Sequence, residues 1–351
     1  MPTTENTSTT TLPLVAVVIL NWNGKNFLDR FLPSVLASTY PNKIIIVADN
    51  ASTDDSVSFV RGKFPSVEII VNPSNGGYAA GYNTALKQVQ ADYFVLLNSD
   101  VEVMPEWIEP VVSLMENDRL IGACQPKIMD EKKRDQFEYA GACGGWRDAL
   151  GYPFARGRVL DTIEADSGQY DPPAECSWAT GTALFVRADV FNKLQGFDNY
   201  YFAHQEEIDL CWRMQHAGYK IFVQPASVIY HVGGGTLPKG NSKKTYLNFR
   251  NNLITIYKNS TAATLFYLLP LRFSLDGVAA WKGLLSGDAG YFIAVLKAYI
   301  HFLRWVLFKQ SVSVFPEKLS GRNLHGVYRG SILVQYYLKK KKTFSEIVRP
   351  K

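Results

Sequence analysis

The sequence predicts an α/β fold, a mostly parallel central sheet flanked by helices, followed by a basic helical extension. Three observations carry this reading. Short apolar runs alternate with helical patterns over roughly the first hundred residues, a polar loop follows each apolar run, and the charge changes sign late in the chain.

The runs Val15–Leu20, Lys43–Ala48, Val67–Val71 and Tyr93–Leu97 are short and mostly β-branched or aromatic, as buried strands are. Between them Asn26–Ala37, Asp54–Lys63 and Tyr78–Gln90 carry helical patterns. Strand–helix–strand repetition at this spacing implies a parallel sheet covered on both faces. Ile121–Pro173 is less regular, rich in Gly, Arg and aromatic residues, and reads as an insertion. Regular structure resumes with a strand at Gly181–Arg187, helices at Ala188–Leu194 and Glu206–Ala217, and strands at Lys220–Val223 and Ser227–Tyr230. No internal repeat is present.

Parallel sheets bind ligands beyond the carboxyl ends of their strands. The four strands of the first half end in Asn21-Trp22-Asn23-Gly24, Asp49-Asn50-Ala51-Ser52-Thr53-Asp54, Asn72-Pro73-Ser74-Asn75-Gly76-Gly77 and Asn98-Ser99-Asp100. Turns and caps also favour these residue types. Four such loops on one rim, however, point to a polar ligand.

A lone carboxylate at a strand end, Asp100, suits a phosphate-bridging Mg²⁺ or Mn²⁺, which takes only one or two ligands from protein; a turn Asp ahead of a helix near Pro105 is the plainer alternative. The segment Asn75–Asn83 opens a helix with glycines but is neither G-x-G-x-x-G nor a P-loop, so a dinucleotide-dependent dehydrogenase is poorly supported. Its helix N-terminus can face an anionic or sugar ligand. Alternatively, Gly77 and Gly81 serve close helix–sheet packing. In His204–Arg213, Asp209 and Arg213 stand four apart and form an ion pair. Glu207 projects about 160° from Asp209 and shares a face with His204 and Cys211, which makes it a candidate base. His231 ends an apolar strand before Gly233-Gly234-Gly235-Thr236 and is either a structural histidine or a second metal ligand.

In order along the chain, Val18–Gly24, Asp49–Asp54, Asn75–Asn83, Leu96–Asp100, Gly196-Phe197-Asp198, Glu206–Arg213 and His231 with its glycines resemble the family 2 inverting glycosyltransferases. The likeness spans about Val15 to Asn259 and is strongest to the bacterial rhamnosyltransferase-type branch. It implies the GT-A fold and a nucleotide-sugar donor, dTDP-rhamnose or a UDP-sugar. The donor would be held by Asn21, Asn23, Asp49, Asn50, Ser52, Asn75, Gly77, Gly81, Asn98 and Ser99. Asp100 matches the last carboxylate of the family's Asp-x-Asp motif and, with His231, would bind Mn²⁺ or Mg²⁺. Glu206-Glu207 matches a Glu-Asp pair whose second member is the catalytic base. Inversion follows when that base deprotonates an acceptor hydroxyl of a lipid-linked or cell-surface polysaccharide. The insertion would then lie on the acceptor side. Two positions depart from the pattern: Asn98 replaces the first Asp of the metal motif, and Glu207 replaces Asp, which leaves Asp209 as a reserve base. Two rivals remain. A sugar-nucleotidyltransferase would need a Gly-rich basic loop after the first strand, of which Asn21–Lys25 is a poor version. A degenerate nucleotide-sugar-binding scaffold at the membrane is the other, kept open by Asn98 and Glu207.

Residues 1–238 carry a net charge of -10 and residues 239–351 one of +15. The basic part contains the apolar segments Thr261–Phe273 and Tyr291–Phe308, the second interrupted by Lys297, His301 and Arg304 on one helical face. Such a stripe suits a helix lying in a membrane interface better than one crossing it. Trp281, Trp305, Tyr328, Tyr336 and Tyr337 would anchor it, and Lys339–Lys342 would meet anionic lipid. Packing on the catalytic domain or on a second copy, a homodimer, is the alternative. Nucleic acid is not expected, because no reader motif accompanies the charge. The sequence thus divides into a disordered leader (1–13), a catalytic domain (14–259) and a basic amphipathic helical extension (260–351). Four cysteines without metal-site spacing imply reduced thiols, and the leader lacks the features of a signal peptide, so the expected location is the cytoplasmic face of the cell membrane.

Overall fold

A computed structural model describes residues 11–233, 241–308, 318 and 324–348. Most of the leader and Gly234–Thr236 lie outside the described residues. The chain begins β1 (Val15–Asn21), α1 (Lys25–Leu36), β2 (Lys43–Asp49), α2 (Ser56–Lys63), β3 (Glu68–Val71), α3 (Gly77–Leu86) and β4 (Tyr93–Asn98). Then come β5 (Val101–Val103), α4 (Glu109–Asn117) and β6 (Ile121–Asp130). Short strands β7 (Gly145–Asp148), β8 (Pro153–Ala155), β9 (Arg158–Val159) and β10 (Thr162–Ile163) follow. The chain returns through β11 (Ala174–Cys176), β12 (Ala183–Arg187), α5 (Ala188–Lys193), α6 (Glu206–His216) and β13 (Lys220–His231). It ends with α7 (Ser242–Asn259), α8 (Ala262–Leu285), α9 (Ala289–Phe308), β14 (Val327–Tyr328) and α10 (Phe344–Ile347).

The main sheet runs β3-β2-β1-β4-β12-β6-β13-β11, with β5 paired to the end of β13. β1 is parallel to β2 on one side and β4 on the other, so the strand order reverses beside it. Alternation along β1 builds both cores. Val15, Val17 and Ile19 join one cluster with Leu28 and Leu32 of α1 and Met115 of α4. Ala16 and Val18 join the other with Ala79 and Tyr82 of α3 and Leu210 of α6. The expected sandwich of helices on both faces is therefore present.

The middle of the chain is more regular than its composition suggests. Ile121–Asp130 is a ten-residue strand inside the main sheet, not part of an insertion. Lys220–His231 is one strand of twelve residues, not two, with its register shifting between Gln224 and Val228 opposite Pro126 and Lys127. That irregularity accommodates a proline, which has no N–H to offer a ladder. The insertion proper forms a second sheet, β10-β9-β8-β7-β14. Its last strand comes from the chain's tail, so the extension is not wholly helical: Phe344 and Ile347 of α10 also fill the core of this small sheet. α8 is longer than expected, running on past Phe273 to Leu285. All four cysteines are buried and free.

Candidate active site

The parallel register of β1 with its neighbours sets Asn21 level with Asp49, and Leu20 level with Asn98, at one rim. Asn21 is fully buried; its Nδ2 donates to Asp49 Oδ1 at 2.9 Å and to Ser52 Oγ at 3.2 Å, while its Oδ1 is buried without a partner. Asp49 Oδ2 accepts from the Ser52 amide at 2.9 Å. Exposed Asn23 holds the same loop, its Oδ1 accepting from the Thr53 amide at 2.7 Å and the Asp54 amide at 3.2 Å. Gly24 lets these loops meet, because a Cβ there would stand 2.5 Å from Asn21 Oδ1 and 3.5 Å from Ser99 Oγ. Trp22, 49% exposed, leaves an aromatic face free beside them.

The third loop departs from expectation. Asn50 is buried, donating to Asn75 Oδ1 and to the Gly77 carbonyl, each at 3.0 Å. The first amides of α3 are already taken: Gly77 N–H donates to Asn75 Oδ1 at 2.9 Å, and Tyr78 and Ala79 N–H donate to the Phe202 carbonyl at 2.6 and 3.2 Å. Gly77 has φ +77°, and a Cβ there would lie 2.4 Å from the Phe202 oxygen; one on Gly81 would meet Asn50 and Leu20 at 3.0 Å. Asn50, Asn75, Gly77 and Gly81 therefore pack and cap the scaffold. The N-terminus of α3 is no anion site, because its donors are spent.

Asp100 and His231 are brought together by strand pairing. β5 runs antiparallel to β13 with His231 opposite Val101, and this sets His231 beside Asp100. Nε2 of His231 lies 3.2 Å from Asp100 Oδ1, and its Nδ1 lies 3.4 Å from Glu138 Oε2. Burial opposes a charge on His231, but the two carboxylates outweigh it and raise its pKa to about 10. The spacing of 3.2 Å is close to the roughly 3.0 Å between adjacent ligands of an octahedral ion bound at about 2.1 Å. A carboxylate behind the other imidazole nitrogen is the arrangement that orients a metal-binding histidine. The residues thus fit a divalent cation. Among the described residues no three His, Cys, Asp or Glu side chains form a complete metal site by themselves. Glu138 carried no sequence signal, since it arrives through the irregular pairing of Phe137 with Met129. Asn98 donates its amide to the Thr182 carbonyl at 3.0 Å, tying β4 to the segment before β12.

The three acidic residues of α6 have three different environments. Asp209 is fully buried, bound by Arg213 Nε at 2.9 Å, Lys258 Nζ at 3.0 Å and Asn259 Nδ2 at 2.9 Å. Burial alone would raise its pKa, but Lys258 and Arg213 hold it below the usual carboxylate range. The expected Asp209–Arg213 pair exists, and it removes Asp209 as a reserve base. Glu206 is buried with Oε2 unpartnered; burial and then the Glu207 charge keep its pKa well above the usual range. Glu207 is half-buried, its Oε2 also without a partner, and burial raises its pKa to about 7.

The chain enters α6 strained. Phe202, His204 and Gln205 all have positive φ, at +64°, +71° and +75°. Helix α7 holds this entry: Asn251 Nδ2 donates to the carbonyls of Tyr201, Ala203 and His204 at 3.0, 2.9 and 2.7 Å. Tyr78 lies within electrostatic reach of Glu206 and Glu207 and donates to the Gly181 carbonyl at 2.6 Å. Gly181 precedes Thr182, whose carbonyl accepts from the Asn98 amide at the end of β4, two residues before Asp100.

The family model described as Glycosyl transferase family 2 matches residues 16–166, from β1 into the small sheet. An N-acetylglucosaminyl-diphospho-decaprenol L-rhamnosyltransferase of Mycobacterium tuberculosis is 26% identical over 293 residues, covering 78% of this chain and 92% of that one. Among solved structures, a mannosyltransferase of Pyrobaculum calidifontis in complex with GDP-Man and Mn²⁺ aligns with a TM-score of 0.51 at 14% identity, over 85% of this chain and 76% of that one. S. aureus TarS 1–349 in complex with UDP-GlcNAc aligns at 0.54 and 15% identity, over 83% and 81%. The solved structures bear on the fold, the family model and the relative on the class. Residues 16–166 thus match glycosyltransferase family 2, and the chain has the GT-A fold.

Proposed function

We propose that this glycosyltransferase moves a sugar, with inversion, from a nucleoside diphosphate donor to a hydroxyl of a lipid-linked acceptor. The observation that carries the reading is the β5–β13 register, which sets Asp100 against His231 at the rim where Asn21 and Asp49 end. Asp100 and His231 would hold a divalent cation, and an imidazole ligand favours Mn²⁺ over Mg²⁺. When bound, the ion supplies charge to neutralise the leaving diphosphate. Asn21, Asp49, Asn23 and Ser52 shape the nucleoside pocket, with Trp22 offering a ring on which a base can stack. Glu207 accepts the acceptor hydroxyl proton, its carboxylate raised by burial to a pKa near the working pH. The relative's named reaction makes L-rhamnose on a diphospho-prenol-linked sugar the first pairing to try. The test is transfer from dTDP-rhamnose and UDP-sugars to an N-acetylglucosaminyl-diphospho-prenol. A β-configured dTDP-rhamnose should give the α-linked product and no β-linked one. Retention, or no transfer from any donor by folded protein, contradicts the proposal.

The extension fits an anionic bilayer surface. α9 is long and apolar enough to cross a membrane, but its Ala294, Ala298, Phe302 and Trp305 are buried inward and His301 bonds Tyr246 of α7 at 2.5 Å. Its outer face exposes Ile293, Leu296, Ile300, Leu303 and Leu307, alternating three and four apart, beside exposed Lys297 and Arg304. α8 adds Phe266 at 86% and Leu285 at 85% exposure, with Val278 and Trp281 between. Greasy residues flanked by cations match an interfacial helix hairpin. Trp305 and Tyr336, expected as anchors, are buried and serve the fold, while Trp281 and Tyr337 remain exposed.

A further inference from the structure

Arg158 is a buried cation without a hydrogen-bonded counter-charge among the described residues. It opens β9, is 6% exposed, and its Nε is buried without a hydrogen bond. Among the described residues, its guanidinium makes no hydrogen bond or ion pair. Other buried arginines bond through at least one guanidinium nitrogen: Arg213 to Asp209 and two carbonyls, Arg187 to Glu116 and the Ile121 carbonyl, Arg156 to the Tyr170 carbonyl, and Arg272 to Asn252 and Asp276 although its Nε is left over. Arg147 shares the anomaly and, like Arg158, lies over a ring, but that ring is Trp212 of α6 at 3.7 Å and not a neighbour of Glu138. A buried guanidinium left unpaired is costly to folding, so its retention calls for an absent anion.

Its place is fixed and lies next to the site. The turn before it presses on Phe137, because Gly157 has φ +93° and a Cβ there would stand 2.5 Å from that ring. β9 is then pinned between β8 and β10, with Arg158 opposite Ala155 and Ile163. The guanidinium lies over the Tyr139 ring at 4.6 Å, and Tyr139 follows Glu138, the carboxylate behind His231. Glu138 and Asp161 act on Arg158 through space without bonding it. Arg158 therefore stands one residue beyond the Asp100–His231–Glu138 row, on the insertion and not on the nucleotide half.

We propose that Arg158 binds a diphosphate oxygen at the acceptor side of the metal pair. The planar fork of a guanidinium matches phosphate oxygens two at a time. Both the donor and a lipid-diphosphate acceptor carry such a group. Placement on the small sheet assigns Arg158 to the acceptor's diphosphate, so the chain selects acceptors whose sugar is joined directly to one. This inference rests on the proposed transfer to a lipid-linked acceptor.

The test compares wild type with Arg158→Gln and Arg158→Lys. KM and kcat are measured for a prenyl-diphosphate sugar and for a neutral alkyl glycoside of the same sugar. Calorimetry with Mn²⁺ measures the binding of the donor and of inorganic pyrophosphate. R158Q is expected to raise KM for the charged acceptor about tenfold or more, with R158K intermediate, and to leave the neutral glycoside and donor binding unchanged. Weakened donor binding with equal loss for both acceptors would move the same anion contact to the donor and overturn the acceptor assignment. Unchanged KM for the charged acceptor and unchanged pyrophosphate affinity, in folded protein, would overturn the anion role altogether. If wild type transfers to neither acceptor, the functional reading fails while the pyrophosphate titration still decides Arg158. Should R158Q not fold, R158K carries the comparison.

Discussion

Glu206, Glu207 and Asp209 lie within one turn of α6, and their surroundings give each a different task. Asp209 joins α6 to α7 through Lys258 and Asn259, so Asp209→Asn should lower stability by about 3–5 kcal/mol by leaving buried cations unbalanced, as thermal or urea unfolding would show. Glu207→Gln should behave in the opposite way. Transfer should fall by about 10²–10⁴-fold with donor binding retained, and normal transfer would remove Glu207 as the base. The folded carboxyl keeps its proton up to about 7, whereas the unfolded one releases it near 4.5. The folded state therefore binds more protons between those values, and stability falls as pH rises through that window. At pH 8 the glutamine variant should accordingly melt higher than wild type. For the wild-type enzyme, kcat/KM should drop on the acid side with an apparent pKa near 7, a value that belongs to the Glu206–Glu207 pair jointly. A profile flat down to pH 5.5 would contradict this.

At the level of elements, α3 and α7 grip the loop before α6 and so hold the candidate base Glu207. Gly77→Ala tests the grip from one side. Its positive φ and the Phe202 carbonyl 2.4 Å from a new Cβ predict a loss of at least about 1–3 kcal/mol, together with most transfer activity, by unfolding and by initial rates. Wild-type stability in this variant would mean that the loop is held elsewhere. The sheet half of this architecture was legible because Val15–Leu20 and its parallel partners are almost purely apolar, and a strand buried on both faces has no polar residue to confuse the pattern. Helix α7 was not legible. Arg250, Asn251, Asn252, Lys258 and Asn259 face inward to satisfy carbonyls and carboxylates, so the helix lacks the apolar stripe by which helices are recognised. Strand β6 was hidden by Gln125-Pro126-Lys127, which only the bulged partner strand can accommodate. Among the candidate site residues, Asp100, His231 and Glu207 stand at strand and helix ends, where a sequence reading looks first. Glu138 and Arg158 did not, because Glu138 reaches His231 only through the isolated Met129–Phe137 pairing, and Arg158 meets Tyr139 only once β9 has paired. Gly77 and Gly81 misled: the same glycines that would open a phosphate loop here allow a backbone contact.

For the molecule as a whole, residues 1–238 are acidic, while residues 239–351 are basic and expose large apolar side chains on α8 and α9. Sedimentation with anionic vesicles should carry the protein down, and less so in high salt or with neutral lipid. Paired substitution of Phe266 and Leu285 by Glu should abolish binding without lowering the melting temperature, since both side chains are almost fully exposed. Unaltered binding would relocate the membrane contact. The central claim is that the rim binds a nucleotide sugar through a cation held by Asp100 and His231. Calorimetric titration of UDP- and dTDP-sugars into the full chain, with Mn²⁺ and then with EDTA, tests it most directly. The account predicts binding of at least one donor that requires Mn²⁺ and weakens at least tenfold in Asp100→Ala. Equal donor binding in EDTA, or an undiminished affinity in the variant, would contradict it.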